Sequence, residues 1–252
     1  MASVDQFAVA QTGSARVCHR SSQPLGSELK TLRVQEIFPS LQGEGPFAGE
    51  PAVFIRLGGC NLRCFWCDTD FESNPWDPTL DEIEAAVKAA LTKATSSLIV
   101  LTGGEPLRQD IAPLLERLIL GLKLRVQIET SGSLWQDSLN GLDFLGTPSL
   151  SIICSPKTPK IHPQLCKYVD AWKYIIRHQE TDLKDGLPTQ STQIQGRSQR
   201  LARPSNKAPI FVQPLDEKNA DLNRLNQAEA VRVALKWGYR LSLQLHKILG
   251  LP

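Results

Sequence analysis

Cys60, Cys64 and Cys67 stand within eight residues, in the stretch GGCNLRCFWCD that begins at Gly58. Thiolates at C-x3-C-x2-C spacing select a soft metal or an iron–sulfur cluster, because sulfur is a polarisable donor and ordinary core thiols are not crowded onto one loop. A structural zinc site is the bland alternative, and it needs a fourth ligand. The nearest histidines, His19 and His162, have no finger or ribbon spacing to the loop. A four-iron cluster on three thiolates leaves one iron open to a small bidentate ligand. Phe65 and Trp66, between the second and third cysteines, suit an apolar wall that keeps water from a reducing cluster, although an aromatic here is equally ordinary core.

Further polar groups appear where apolar stretches stop. TGGEP (Thr102 to Pro106) follows SLIVL, ETSG with Glu129 follows RVQI, SPK (Ser155, Pro156, Lys157) follows SIIC, and QPLD (Gln213, Pro214, Leu215, Asp216) follows IFV. The glycines of TGGEP let a ligand approach the backbone, and Glu105 can accept N–H bonds from an ammonium. Ser155 and Lys157 offer a hydroxyl and a positive charge suited to a carboxylate or ribose. Taken singly, each is an ordinary solvated loop residue. Upstream, LQGEGP (from Leu41, Gln42, Gly43) places a Gly-rich turn before a strand and presents backbone N–H and C=O groups to a planar heterocycle. Arg56 precedes Cys60 by four residues, which keeps its guanidinium near the loop, where it can pair a carboxylate bidentately.

These groups converge only if the elements carry them to one rim. LRVQEIF from Leu32 and AVFIRL read as strands that can form a hairpin. Thr79 reads as a helix N-cap with Glu82 as its capping-box partner, and Leu80, Ile83, Val87 and Leu91 recur on one face. Strands SLIVL, RVQIE, SIIC, AWKYII, IFVQ and RLSLQL follow, with helices over residues 111–122 and 220–237. Mostly apolar strands alternating with helices predict an α/β fold: a partial barrel of mostly parallel strands with helices outside, and its functional residues at the strand C-termini.

Composition bounds the partners. The net charge of +2 over 252 residues gives no case for nucleic acid or an anionic membrane, and a small molecule fits better. No run of about eighteen uncharged apolar residues occurs. Of six cysteines, Cys18, Cys154 and Cys166 are scattered without a disulfide framework, which suits a reducing cytoplasm. Residues 1–30, rich in Ser, Ala and Gln and without hydrophobic period, read as a flexible extension, and 31–252 as one catalytic domain. Within it, the polar, punctuated stretch 178–208 reads as a mobile surface insertion or lid.

The cysteine loop resembles the signature of the radical S-adenosylmethionine superfamily. Together, LQGEGP, CDT, QPLD and the terminal HKILG are similar to the motifs of its 7-carboxy-7-deazaguanine synthases, over Leu32 to the end except the insertion. That resemblance implies a [4Fe-4S] cluster on Cys60, Cys64 and Cys67, with adenosylmethionine on its open iron, and Mg²⁺ ligated by the Thr69 hydroxyl. Adenosylmethionine would be held by Trp66, Cys67, Asp68, Gly104, Glu105, Glu129, the SPK residues and the QPLD residues. Leu41, Gln42, Gly43, Arg56, Thr102 and His246 would hold a pterin substrate, and the terminal carboxylate of Pro252 would accept bonds from its guanidine-like edge. The implied reaction contracts 6-carboxy-5,6,7,8-tetrahydropterin to 7-carboxy-7-deazaguanine with loss of ammonia. The implied partners are a second copy of the chain and an external donor of the flavodoxin or ferredoxin type. A glycyl-radical activase shares the cysteine spacing but has no reason to carry LQGEGP and QPLD. A zinc-stabilised binding module is the non-enzyme alternative.

Overall fold

The computed structural model describes residues 31–73, 75–93 and 95–252, so the expected extension at 1–30 lies outside the described residues. One sheet of eight strands runs in chain order: β1 (Val34–Leu41), β2 (Pro51–Leu57), β3 (Leu98–Gly103), β4 (Arg125–Thr130), β5 (Leu150–Cys154), β6 (Val169–Ile176), β7 (Ile210–Pro214) and β8 (Arg240–Leu241). β1 and β2 form the expected antiparallel hairpin, with Glu36 opposite Arg56. Every later neighbour pairs in parallel, and β1 does not meet β8, so the barrel stays open.

Helix α1 (Leu80–Leu91) starts where the sequence places it, because Thr79 accepts the Glu82 N–H while the Glu82 carboxylate accepts the Thr79 N–H. Its buried face is Leu80, Ile83, Val87 and Ala90, with Leu91 partly buried beside them. Each large side chain removed from water there is worth about 1.5–3 kcal/mol. The second helix is shorter than its pattern: α2 (Ala112–Glu116) relaxes into a π turn over Arg117–Gly121. α3 (Ala220–Trp237) is capped by the Asn219 side chain and ended by Gly238 in the left-handed conformation.

Two expectations change. RLSLQL is a strand for two residues only, after which Ser242 turns inward and Leu245–Leu249 forms a short helix, α4. The cause is local: Leu241 and Leu243 face solvent rather than a core, while Ser242 and Gln244 find polar partners in the LQGEG turn. Nor is 178–208 a surface excursion. Leu187, Leu201 and Ala202 are buried, the Tyr174 hydroxyl donates to the Ala202 carbonyl, and Arg203 forks onto Asp185. Its polar composition hid a folded appendage held by side-chain hydrogen bonds rather than by apolar periodicity.

Candidate active site

Strand alternation makes the site. Val53, Ile55, Leu57, Ile99, Leu101, Val126, Ile128, Trp172, Tyr174, Ile176 and Val212 point to the main core beneath the helices. Their neighbours one residue away must therefore face the barrel interior. At the C-terminal halves of the strands those neighbours are Arg56, Thr102, Glu129, Lys173 and Gln213, all lining one cavity of about 1000 Å³. The wall also includes the three cysteines, Trp66, Asp68, Thr69, Gly104, Ser155, Lys157, Pro214, Leu215, Asp216, Gln42, His246 and Pro252.

The cysteine loop crosses the end of β3 with no space to spare. Gly104 donates its N–H to Leu57 O at 3.1 Å and Glu105 to Gly59 O at 3.0 Å. A Cβ on Gly104 would stand 2.0 Å from the Gly59 carbonyl oxygen, and one on Gly103, with φ at 126°, would meet Leu57 backbone at 2.2 Å. The paired glycines thus admit the loop's own backbone.

All three loop cysteines are free. Burial, above all, raises the Cys60 thiol, with the charges of Glu105, Cys64 and Cys67 adding to it against an N–H from Leu62. Burial likewise raises Cys67, helped by Asp68 and opposed by its contact with Thr69 and by Lys157. Such thiols ionise when a cationic group arrives to be bound, which couples loading to proton release. Among the described residues no three His, Cys, Asp or Glu side chains are arranged to hold a single metal ion. Three free thiols on one loop beside a cavity are a donor set that suits an iron–sulfur cluster.

The interior carries more charge than its wall can solvate. Lys173, 7% exposed, bonds to Glu44 and lies 3.9 Å from Glu129. Glu44 also accepts from Gln213 Nε2 at 3.1 Å and Gln244 Nε2 at 2.9 Å. Burial works to raise the Glu44 carboxyl, but the Lys173 charge and bond, with Gln244 and His246, hold it at about 2. Burial works to lower Lys173, and Glu129, Glu44 and Asp68 override it and keep it protonated. Glu129 accepts from Thr102 Oγ1 at 3.0 Å, Gln42 Nε2 at 3.2 Å and Gln127 Nε2 at 3.0 Å. Burial lowers Lys157, whose ammonium sits 5.4 Å from the Trp66 ring centre.

Lys247 ties the cysteine loop to the strand ends, donating to Asp68 at 2.6 Å and to Asp216 at 2.9 Å. Asp216 is held at about 2 by the Lys247 bond first, then by Lys218 N–H and Asn223. His246 is lowered by burial, which outweighs the pull of Glu44. Its ring packs on Gly43, where a Cβ would lie 2.1 Å from Nδ1.

Four expected residues fall outside the cavity wall. Leu41 ends β1, and Gly43 backs His246. Pro156 faces a small adjoining pocket. Glu105, 1% exposed, is spent on protein: it accepts from Leu107 N, Thr130 Oγ1, Ser131 N and Ser131 Oγ, and so shapes the ETSG turn. Arg56 reaches the wall but donates Nε to Glu36 at 2.5 Å. Sequence reasoning missed Glu44, Lys173, Gln244 and Lys247. Lys173 had a readable signal, being the one charged residue inside the apolar AWKYII and sharing parity with the inward face. Glu44 stood unremarked in LQGEGP; Gln244 and Lys247 carried no signal, since they depend on β8 ending early.

Comparison with known proteins agrees with this geometry. Residues 54–153 match the family model described as Radical SAM superfamily. A 7-carboxy-7-deazaguanine synthase of Rhodospirillum rubrum is 51% identical over 225 residues, covering 87% of this chain and 92% of that relative. One from Rickettsia prowazekii is 37% identical, covering 87% and 88%. The crystal structure of QueE from Escherichia coli, at 24% identity, superposes over 85% of this chain and 94% of that one with a TM-score of 0.60, which supports the fold. With the cysteine loop, the open parallel barrel and identity of this extent all agreeing, the chain belongs to the 7-carboxy-7-deazaguanine synthase family of the radical SAM superfamily.

Proposed function

We infer that the chain converts 6-carboxy-5,6,7,8-tetrahydropterin to 7-carboxy-7-deazaguanine with loss of ammonia. The observation that carries this is that one cavity holds both the three-cysteine loop and the turn residues Gln42 and Glu44 with Arg56. When bound, the [4Fe-4S] cluster and adenosylmethionine supply reductive cleavage of the sulfonium and hence a hydrogen-atom abstractor. The chain's own residues position and shield. Cys60, Cys64 and Cys67 hold the cluster, and Trp66 with Lys157 provides a cation-capped aromatic face for the nucleoside. Ser155, Gln213 and Asp216 offer polar groups for ribose and adenine, while Gly104 and Glu129 stand at the strand ends beside them.

Thr102 and Gln42, which both donate to Glu129, bring polar groups to the cavity wall where a pterin edge would lie. Arg56 pairs the substrate carboxylate through the guanidinium edge not used by Glu36. His246, which burial biases towards its neutral form, offers a ring nitrogen that can accept or donate at the cavity wall. Pro252 lines the same cavity, its carbonyl oxygen accepting from Ser40 Oγ at 3.1 Å. Residues 31–252 act as one catalytic unit in this reading, as a homodimer in the cytoplasm, reduced by a flavodoxin or ferredoxin. No helix among the described residues is long and apolar enough to cross a membrane.

The test is direct. Anaerobically reconstituted protein, given adenosylmethionine, Mg²⁺, a reductant and the carboxytetrahydropterin, is expected to form the deazaguanine, read by mass and ultraviolet spectrum. Loaded protein that cleaves adenosylmethionine without forming it would point to another radical reaction. The Mg²⁺ assignment has its own check: a hard ion with few protein ligands depends on each one. Thr69→Ala is expected to raise the Mg²⁺ concentration for half-maximal rate about tenfold or more, and an unchanged Mg²⁺ response removes Thr69 from the site.

A further inference from the structure

Cys64 differs from the other loop cysteines in what stands beside its sulfur. Cys60 receives the Leu62 backbone N–H at 3.4 Å, and Cys67 faces the Thr69 carbonyl at 3.8 Å. Cys64 Sγ lies 3.2 Å from Nε2 of Gln193, a residue of the appendage 178–208. The amide's orientation is not arbitrary. Its Oε1 accepts the Arg63 backbone N–H at 2.7 Å, and since an N–H can only donate, the carbonyl end must face Arg63 and the NH₂ end the sulfur. The second amide hydrogen goes to Thr192 Oγ1 at 2.6 Å.

The turn bearing Gln193 is itself pinned. Ser191, 3% exposed, accepts the N–H groups of Gln193 and Ile194 on its hydroxyl, each at 3.1 Å, and donates its own N–H to Arg197 O at 2.8 Å. Thr192 takes the Phe65 N–H at 3.1 Å and donates its hydroxyl to Lys157 O at 2.9 Å. The appendage thus binds the chain on both sides of Cys64, at Arg63 and at Phe65, and delivers one oriented donor to the sulfur between them.

We propose that Gln193 is a positioning residue that donates an amide N–H to the Cys64 sulfur and thereby raises the reduction potential of the cluster on this loop. The inference rests on the reading of Cys60, Cys64 and Cys67 as cluster thiolates. Its physical basis is that the reduced cluster carries one more negative charge, so a donor at a ligand sulfur stabilises the reduced form more than the oxidised one. The appendage then does more than cover the site: it makes the one-electron reduction easier.

The experiment measures the cluster's midpoint potential by EPR-monitored potentiometry in reconstituted wild-type protein, Gln193→Ala and Gln193→Glu, with iron and sulfide counted per chain. Gln193→Glu keeps an oxygen for the Arg63 N–H but brings a carboxylate, with no donor, to the sulfur. Both variants are expected to be more negative than wild type, Gln193→Glu the more so. At the wild-type midpoint, the reduced-to-oxidised ratio is expected to fall about tenfold, ~59 mV for a one-electron couple. A purely structural role leaves Gln193→Ala at the wild-type midpoint, since a carboxylate beside the sulfur in Gln193→Glu lowers the potential by its charge alone. A wild-type midpoint in loaded Gln193→Ala overturns the proposal, whatever the value for Gln193→Glu. A wild-type chain that fails to load about four irons instead overturns the cluster reading beneath it.

Discussion

Gly104→Ala is expected to fold, load little iron and lose at least about 100-fold in activity. The added methyl would stand 2.0 Å from Gly59 O, 2.4 Å from Gly59 C and 2.9 Å from Cys60 N, all of them backbone atoms with no rotamer to change. Relief requires the loop to lift, which breaks the bonds from Gly104 N to Leu57 O and from Glu105 N to Gly59 O. The stability cost of such overpacking is about 1–3 kcal/mol, small enough for the rest of the sheet to survive. The functional cost is larger because Cys60 is the residue displaced. A shift of about 1 Å at a reacting group costs on the order of 100-fold, and a cluster deprived of one thiolate site does not assemble. Far-ultraviolet circular dichroism and the urea midpoint report folding, while iron and sulfide per chain report loading. Wild-type iron content and rate in a folded Gly104→Ala variant would mean that the loop yields freely and that this close approach is incidental.

The same glycines show how far the sequence carried the argument. TGGEP was readable as a site element because two glycines and an acid ended an apolar strand, yet the reason differs: the glycines receive the cysteine loop, and Glu105 braces Thr130 and Ser131. Strand ends were legible because polar residues follow apolar runs, which put Thr102, Glu129 and Gln213 on one rim, and Arg56 followed from its four-residue distance to Cys60. The strand reading failed at β8, where alternating leucines face solvent and the chain turns inward through Ser242. The appendage was illegible for a different reason. Gln193 and Thr192 owe their place to hydrogen bonds with Arg63, Phe65 and Lys157, distant in sequence, and polar side chains carry no period that announces such contacts.

Lys173→Met is expected to cost about 3–5 kcal/mol at neutral pH and to reduce activity about 100-fold. Methionine fills the volume but removes the cation that Glu44 and Glu129 share, stranding two carboxylates inside the barrel. The pH dependence separates this from simple misfolding. In the wild type, Glu44 is held at about 2 against an ordinary value of 4.5, so its contribution to stability is complete above about pH 4.5 and is lost as the pH falls towards 2. Without Lys173, burial acts on Glu44 unopposed by that charge and raises its pKa, so the variant relieves its strain by protonating. The urea-midpoint gap between wild type and variant is therefore expected to be widest near pH 7 and to narrow towards pH 4. Adding Glu44→Gln to Lys173→Met removes one stranded charge and should return a coupling of about 1–3 kcal/mol in a double-mutant cycle. It should not return activity, because the cation that Lys173 presents to Glu129 inside the cavity is still missing. A gap that stays constant from pH 7 to pH 4, or a single variant as stable as wild type, would show that Glu44 does not depend on Lys173 for its charge.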